Sequence, residues 1–328
     1  MDAYTVFWLD SNGTKRDISA RAGNLSTKDD LESLSVSLSL DVQQSVLDPF
    51  HKPLGIMPGD RIYFYRNGAL VLDGQVNTVN GNYRTSVQLS CYDDGIVLTK
   101  NDLIIQFNGI AASTAISQVC AKLEIGIGEI PQMSTKITKI YHEAVSSILQ
   151  DILDTVNAET GREYFIRVMD KKLYVKQYAD KATTAKFKQS SNLSSFPIQN
   201  QLGTASVKWS AEDLRNVIQI YSDQNDSASV LATSSDEASI ARYGRRVKTD
   251  TYSDSDTATA SQKARTILSE LSRVSEEVSL HCYGSEDVHA GVALEFDTEE
   301  FKGLFLVKAC SKKYGQPEEM DLTLRRIS

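Results

Sequence analysis

Four histidines, two tryptophans, four cysteines and six prolines are all that a chain of 328 residues contains. The histidines (His51, His142, His281 and His289) lie far apart, and none sits in a local nucleophile motif. A nucleophile–base pair needs a base held beside its Ser, Cys or Lys, so such hydrolysis has no visible anchor. Cys91, Cys120, Cys282 and Cys310 show neither CxxC nor CxH spacing, whereas a zinc site needs close ligand pairs. His281 and Cys282 are adjacent, but neighbours on a strand point to opposite faces, which disfavours shared ligation. The expectation is four reduced, mostly buried thiols, with no metal and no cofactor. No apolar run approaches the roughly 18 residues of a membrane span; the longest, such as Gly303-Leu-Phe-Leu-Val307, are strand length. Met1-Asp-Ala-Tyr4 has no basic start and no apolar block after it, so no secretory signal is expected. Basic charge is not in excess either. The 35 Lys and Arg against 43 Asp and Glu leave a net −8, the wrong sign for gripping phosphates.

Other candidates for chemistry are weak. The acidic pairs Asp29-Asp30, Asp93-Asp94, Glu299-Glu300 and Glu318-Glu319 read as solvated turn charge, because glycosidase chemistry needs two acids facing across a cleft. Gly126-Ile-Gly128 lacks the third glycine of a dinucleotide fingerprint and precedes Pro131, so it reads as a turn. Arg245-Arg246 and Arg325-Arg326 are too short for a basic patch and read as solvated strand ends, the alternative being pairing with acids on a neighbouring chain. No active site is expected.

What is present is an ordinary globular composition, 41% hydrophobic and 24% charged, at a length suited to two or three domains. The first hundred residues read as short strands with turns between them, the pattern of a barrel or sandwich. Tyr4–Leu9 is a strand closed by Asp10-Ser-Asn-Gly13. Leu34–Leu40 alternates leucine or valine with serine, which sets Ser35, Ser37 and Ser39 on one face. After a loop holding Pro49, Pro53 and Pro58 come strands 61–65, 70–79 and 85–92, the first two joined by an Asn67-Gly68 turn. From about Asn101 the period changes. Ser113 is positioned to cap a short helix to Leu123. A longer helix is expected from about Tyr141 to Glu159, with a stripe of Val145, Ile148, Leu149, Ile152, Leu153 and Val156 and a terminating Gly161. A hairpin follows, Glu163–Val168 and Lys172–Lys176.

Residues 183–200 read as a linker. Beyond it are strands 206–210 and 217–221, an exposed polar stretch at 223–236, a strand segment at 240–252, and a helix at about 256–272 capped by Asp256. Four strands finish the chain, at 277–283, 291–296, 304–310 and 320–324. The two ends share one grammar: an alternating strand, a gap, a strand, a glycine-led strand (Gly74 or Gly303) and a closing strand. The fold expected is mainly β (α+β), with β-barrel domains at 1–100 and 201–328 flanking a small α/β module at 101–182.

Leu214-Arg-Asn-Val-Ile-Gln-Ile220, Glu237-Ala-Ser-Ile-Ala-Arg-Tyr-Gly244 and the helix with Ala264 and Leu268 resemble the tail hub family of the defective Bacillus phage PBSX. This is the XkdQ/YqbQ type, akin to late control protein D. Ala290–Leu294, Gly303–Val307, Met320–Leu324, Gly59–Ile62, Gly74, Leu89 and the hairpin 163–176 match in the same order. The chain departs from the family at Ala290-Gly291, where Gly-Asp is frequent, and at Lys312-Lys-Tyr314. The resemblance implies two tail-tube-like barrels per chain, a homotrimer, and a baseplate hub between a hexameric tail tube and a trimeric central spike. It also implies inner baseplate (wedge) and tape measure proteins as neighbours and a place in a phage or tailocin particle assembled in the host cytoplasm and released by lysis. Neither specific nucleic-acid binding nor membrane insertion is implied. Ser35, Ser37, Ser39, Gln88 and Ser90 are expected to line the lumen or an inter-barrel contact, ordinary solvent-facing positions being the simpler alternative. The other reading is a peptidoglycan-binding or peptidoglycan-degrading tail component, with Tyr141, Tyr164 and Tyr174 stacking on sugars.

Overall fold

The computed structural model describes residues 3–81, 84–178, 186–188, 205–222, 229–252, 257–285, 287–297 and 302–327. Most of the expected linker, residues 223–228 of the polar stretch and the capping Asp256 lie outside the described residues.

Seven strands build the N-terminal part: β1 (Tyr4–Leu9), β2 (Lys15–Asp17), β3 (Ala22–Asp30), β4 (Ser37–Val42), β5 (Arg61–Arg66), β6 (Ala69–Gly81) and β7 (Val87–Tyr92). They run in the order β3-β4-β7-β6-β5-β1-β2. Alternation places Leu38, Leu40 and Val42 of β4 and Val87, Leu89 and Cys91 of β7 in one core with Ile62, Phe64 and Val76. Asn67 and Gly68 both have positive φ (49° and 81°), as the turn chemistry demanded. Strand β4 starts later than the alternation suggested. Leu34 has φ +54°, which breaks the extended run, and its side chain joins the core of the middle module instead.

That module holds α1 (Ile96–Lys100), β8 (Asp102–Ala111), α2 (Ala112–Lys122), β9 (Gly126–Glu129), β10 (Lys136–Ala144), α3 (Val145–Thr160), β11 (Tyr164–Met169) and β12 (Lys172–Gln177). Helix α3 buries the expected stripe, Val145 through Val156, against α2 and the β8–β10 ribbon. Each of those side chains contributes roughly 1.5–3 kcal/mol by leaving water. Gly161 ends the helix at φ +68°, its N–H donating to Asn157 O at 2.7 Å. Three expectations change here. Tyr141 lies on β10, because nine residues of that strand pair with β8 before the helix begins. Residues 102–111 are a strand the sequence reading passed over. Ser113 sits inside α2, its hydroxyl donating to Met133 O at 3.4 Å rather than capping.

The C-terminal part holds β13 (Lys186–Lys188), β14 (Ala205–Ser210), β15 (Val217–Ser222), β16 (Ser229–Ser235), α4 (Glu237–Tyr243), β17 (Val247–Thr251), α5 (Thr257–Leu271), β18 (Ser275–Tyr283), β19 (Ala293–Asp297), β20 (Lys302–Lys313) and β21 (Glu319–Arg326). The strand expected at 240–252 is α4 followed by β17. Asp236 caps that helix, accepting the Ser239 N–H at 3.0 Å, and Gly244 ends it. Strands β16-β15-β17 form a separate sheet that α5 covers, and Ala260, Ala264 and Ile267 meet Ala158 of α3 there.

The remaining strands repeat the N-terminal arrangement. The order β14-β18-β21-β20-β19 reproduces β3-β4-β7-β6-β5. The central pairs are Leu40–Leu89 and Leu280–Leu322. Both long strands carry a bulge at the same step, Asn77 between Val76 and Thr78, and Lys308 between Val307 and Ala309. Aligned on the bulges, Gly74 corresponds to Phe305, so the two leading glycines are not equivalent. The two β parts are one sheet: β20 pairs with β3, Ala309 opposite Asp30 through Lys313 opposite Ser26, giving thirteen strands in all. The protein is mostly β, in several sheets, with helices in the middle module and in the C-terminal part.

Candidate functional site

Ser37 and Ser39 on β4 and Gln88 and Ser90 on β7 project from the side opposite the leucine core, since residue faces alternate. Ser39 lies directly across from Ser90, and Asp41 from Gln88. Ser35 does not belong to this face; it precedes β4 and is 5% exposed. The second β part repeats the pattern, with Ser279 across from Thr323 and His281 across from Asp321. His281 Nδ1 lies 2.7 Å from Asp321 Oδ1. A hydroxyl pair flanked by a more polar pair therefore recurs at matching positions in both halves.

A second constellation fixes the three parts to one another. The Asp29 carboxylate of β3 accepts from both guanidinium nitrogens of Arg167 on β11, Nη2 at 2.8 Å. It also accepts the Ala290 N–H at 3.0 Å, while Arg167 Nη2 donates to Ala290 O at 2.7 Å. Both charged side chains are only 14% exposed, so each depends on the other for compensation. Gly291 follows at φ +92°, with the Phe165 ring 2.8 Å from where a Cβ would stand; only glycine permits that approach. On the other side, Glu318 accepts from Tyr4 Oη at 2.6 Å and Arg66 Nη2 at 2.7 Å. Tyr314 inserts beside Phe64, ring centroids 4.8 Å apart, its hydroxyl 3.0 Å from Thr27 Oγ1. Burial pushes the Tyr314 phenol up to about 12. Arg325 pairs with Glu163, and Arg326 with Glu276 at 2.8 Å, so this arginine doublet is ion-paired within the chain while staying partly exposed.

Asp29 and Glu318 were read as turn charge, and nothing local distinguishes them. Arg167 did carry a signal, a lone cation among Tyr164, Phe165, Ile166 and Val168 in an otherwise buried strand. Asp93 is a third misread acid. Burial pushes its carboxyl up to about 6, opposed by hydrogen bonds such as the Gly95 N–H at 3.0 Å.

The tyrosines named for sugar stacking make no platform. Tyr141 is 1% exposed and donates to Asp151 Oδ2 at 2.6 Å, and Tyr164 is buried. Tyr174 has Gly128 packed against its ring. All four cysteines are free and buried, with thiols raised by burial to about 11 or 12. Among the described residues no group of three or more His, Cys, Asp or Glu could hold a metal ion. No helix among them is long and apolar enough to cross a membrane.

The fold as a whole is similar to those of solved tail proteins. The tail protein of Neisseria meningitidis MC58 superposes with a TM-score of 0.71 at 14% identity, over 99% of this chain and 97% of that one. The 43 kDa tail protein of prophage MuSo2 from Shewanella oneidensis gives 0.65 at 12%, over 98% of each chain. Prophage tail protein gp18 of Listeria monocytogenes EGD-e gives 0.64 at 13%, over 99% and 95%. At such identities the likeness is one of fold. No curated protein matches the chain by sequence. The model of the YqbQ-like family matches residues 25–325, and the chain belongs to that family.

Proposed function

We propose that the chain is a structural component of a phage tail, and specifically the baseplate hub of a contractile tail or of a tailocin. One observation carries this reading: the five-strand unit β3-β4-β7-β6-β5 recurs within the same chain as β14-β18-β21-β20-β19. Three chains would present six such units, which lets a threefold spike meet a sixfold tube ring without a mismatch. Family membership and the fold of the solved tail proteins support it. In this reading the tube ring lies on one side, the spike on the other, and wedge and tape measure proteins around and within. The particle would be assembled in the host cytoplasm and released by lysis.

The hub acts by geometry, without turnover. The ionic clamp holds the two units at a fixed angle, as a template must. Ser37, Ser39, Gln88 and Ser90, with Ser279 and Thr323 as their counterparts, are proposed to line the lumen, with Ser35 behind them. The hydroxyls are neutral and the chain is net −8, a balance that disfavours holding DNA, and Lys28 across from Ser37 is a cation on the same face. Light scattering on the purified chain, alone and with the candidate spike, tests the assembly. A mass of three chains is expected; a stable dimer or tetramer in both samples overturns the hub. Cell-wall zymograms and peptidoglycan pull-downs are expected to be blank.

A further inference from the structure

The main path of the thirteen-stranded sheet ends on two very different edges, β13 being the end of a side branch through β19. Strand β2 is three charged residues, Lys15-Arg-Asp17, a short, well-guarded edge. Strand β14 offers six residues, Ala-Ser-Val-Lys-Trp-Ser, and among the described residues it pairs only with β18. Trp209 on it is 68% exposed. A long open edge bearing an uncovered tryptophan is a template for another strand.

The internal repeat identifies that strand. In the C-terminal unit, β21 covers one side of β20; the other side is shared by β19 at 302–306 and β3 at 309–313. In the N-terminal unit, β7 covers one side of β6, and β5 takes the other side only as far as Gln75. Beyond the bulge, Thr78–Gly81 has no second partner among the described residues. So, among the described residues, the segment matching the β3-bound half of β20 stands open, and so does β14, the counterpart of β3. Each is the missing partner of the other.

We propose that β14 of one chain adds to the outer half of β6 of a neighbouring copy, repeating between chains the β20–β3 pairing made within each chain. Transferring the observed register sets Thr78 opposite Ser210, Val79 opposite Trp209, and Asn80 opposite Lys208, antiparallel. Three internal and three intermolecular pairings then alternate around six units and close the ring, which removes both open edges. This rests on the trimeric reading above and names the surface through which it closes. Val79, half-buried beside Thr78 and Asn80, gives the indole of Trp209 an apolar neighbour across the joint.

Disulfide trapping tests it, because directly opposed residues on antiparallel strands come within bridging distance and the four native cysteines are buried. The full chain carrying Asn80→Cys with Lys208→Cys, and a second carrying Val79→Cys with Trp209→Cys, are oxidised with glutathione disulfide. They are then resolved without reductant beside light scattering of the same samples. Covalent species of two and three chains are expected from at least one of these adjacent pairs, and none from Thr78→Cys with Val207→Cys, which is three residues out of register. Mixing Asn80→Cys chains with Lys208→Cys chains should stop at two. A trimeric mass without cross-linked species overturns the pairing and leaves the trimer standing. A stable dimer or tetramer overturns the trimer itself, and a persistent monomer without cross-links counts against the pairing.

Discussion

Asp29 and Arg167 show what a single residue can decide in this molecule. Their fork of hydrogen bonds, closed by both backbone groups of Ala290, ties β3, β11 and the segment before β19. Asp29→Asn takes from the nearly buried guanidinium the carboxylate charge that is hydrogen-bonded to it. Removing one partner of such a pair costs about 3–5 kcal/mol, which urea unfolding followed by tryptophan fluorescence would register. A loss below about 1 kcal/mol would show that the clamp is idle. Asp93 makes the opposite prediction. Its folded carboxyl, raised to about 6 by burial, favours the neutral form. The stability that form supplies is complete below about 4 and is lost as the pH rises through 6. Asparagine keeps an acceptor for the Gly95 N–H and never acquires the charge. Asp93→Asn should therefore match the parent near pH 4 and exceed it at pH 7 by up to about 3 kcal/mol. Melting curves across that range would show a widening gap; parallel curves would refute the assignment.

Elements with their own periodicity were legible in the sequence, and those set by distant partners were not. The stripe on α3 was readable because a period of 3.6 survives any tertiary context that buries one face. The alternation of β4 was readable from Leu38 onward, but Leu34 mimicked its continuation while turning away at φ +54°. In β8, Ile104 faces outward at 81% exposure beside buried Ile105, so the apolar run hid the strand's alternation. Only Arg167 of the clamp had a local signature, and its partners could not be read because they lie more than a hundred residues away. Helix α5 shows how the C-terminal part meets the middle module. Ala264 is fully buried in the cluster with Ala158, Ile218 and Ile220, and a larger side chain there must displace its neighbours. Ala264→Leu should lower stability by about 1–3 kcal/mol, and chemical denaturation would detect it. An unchanged midpoint would mean that α5 is free to slide.

At the scale of the whole molecule, the first β unit is completed by the last. Strand β3 is flanked by β4 on one side and β20 on the other, and the backbone bond from Tyr314 N to Leu25 O spans 2.9 Å. Tyr314 and Glu318 seat Phe64, Tyr4 and Arg66. The pairs that join the units are thus separated by almost the full chain length, a topology that folds slowly and cooperatively. The 1–100 fragment would expose the β3 edge and lose both the Tyr314 plug and the Glu318 carboxylate. We expect it to aggregate or to lack a cooperative thermal transition, whereas the intact chain should lose both β units in one. The repeat then records a duplication whose copies no longer stand alone, each supplying the edge that the other needs. A soluble 1–100 fragment melting as sharply as the intact chain would mean that the shared sheet only joins two units already stable apart.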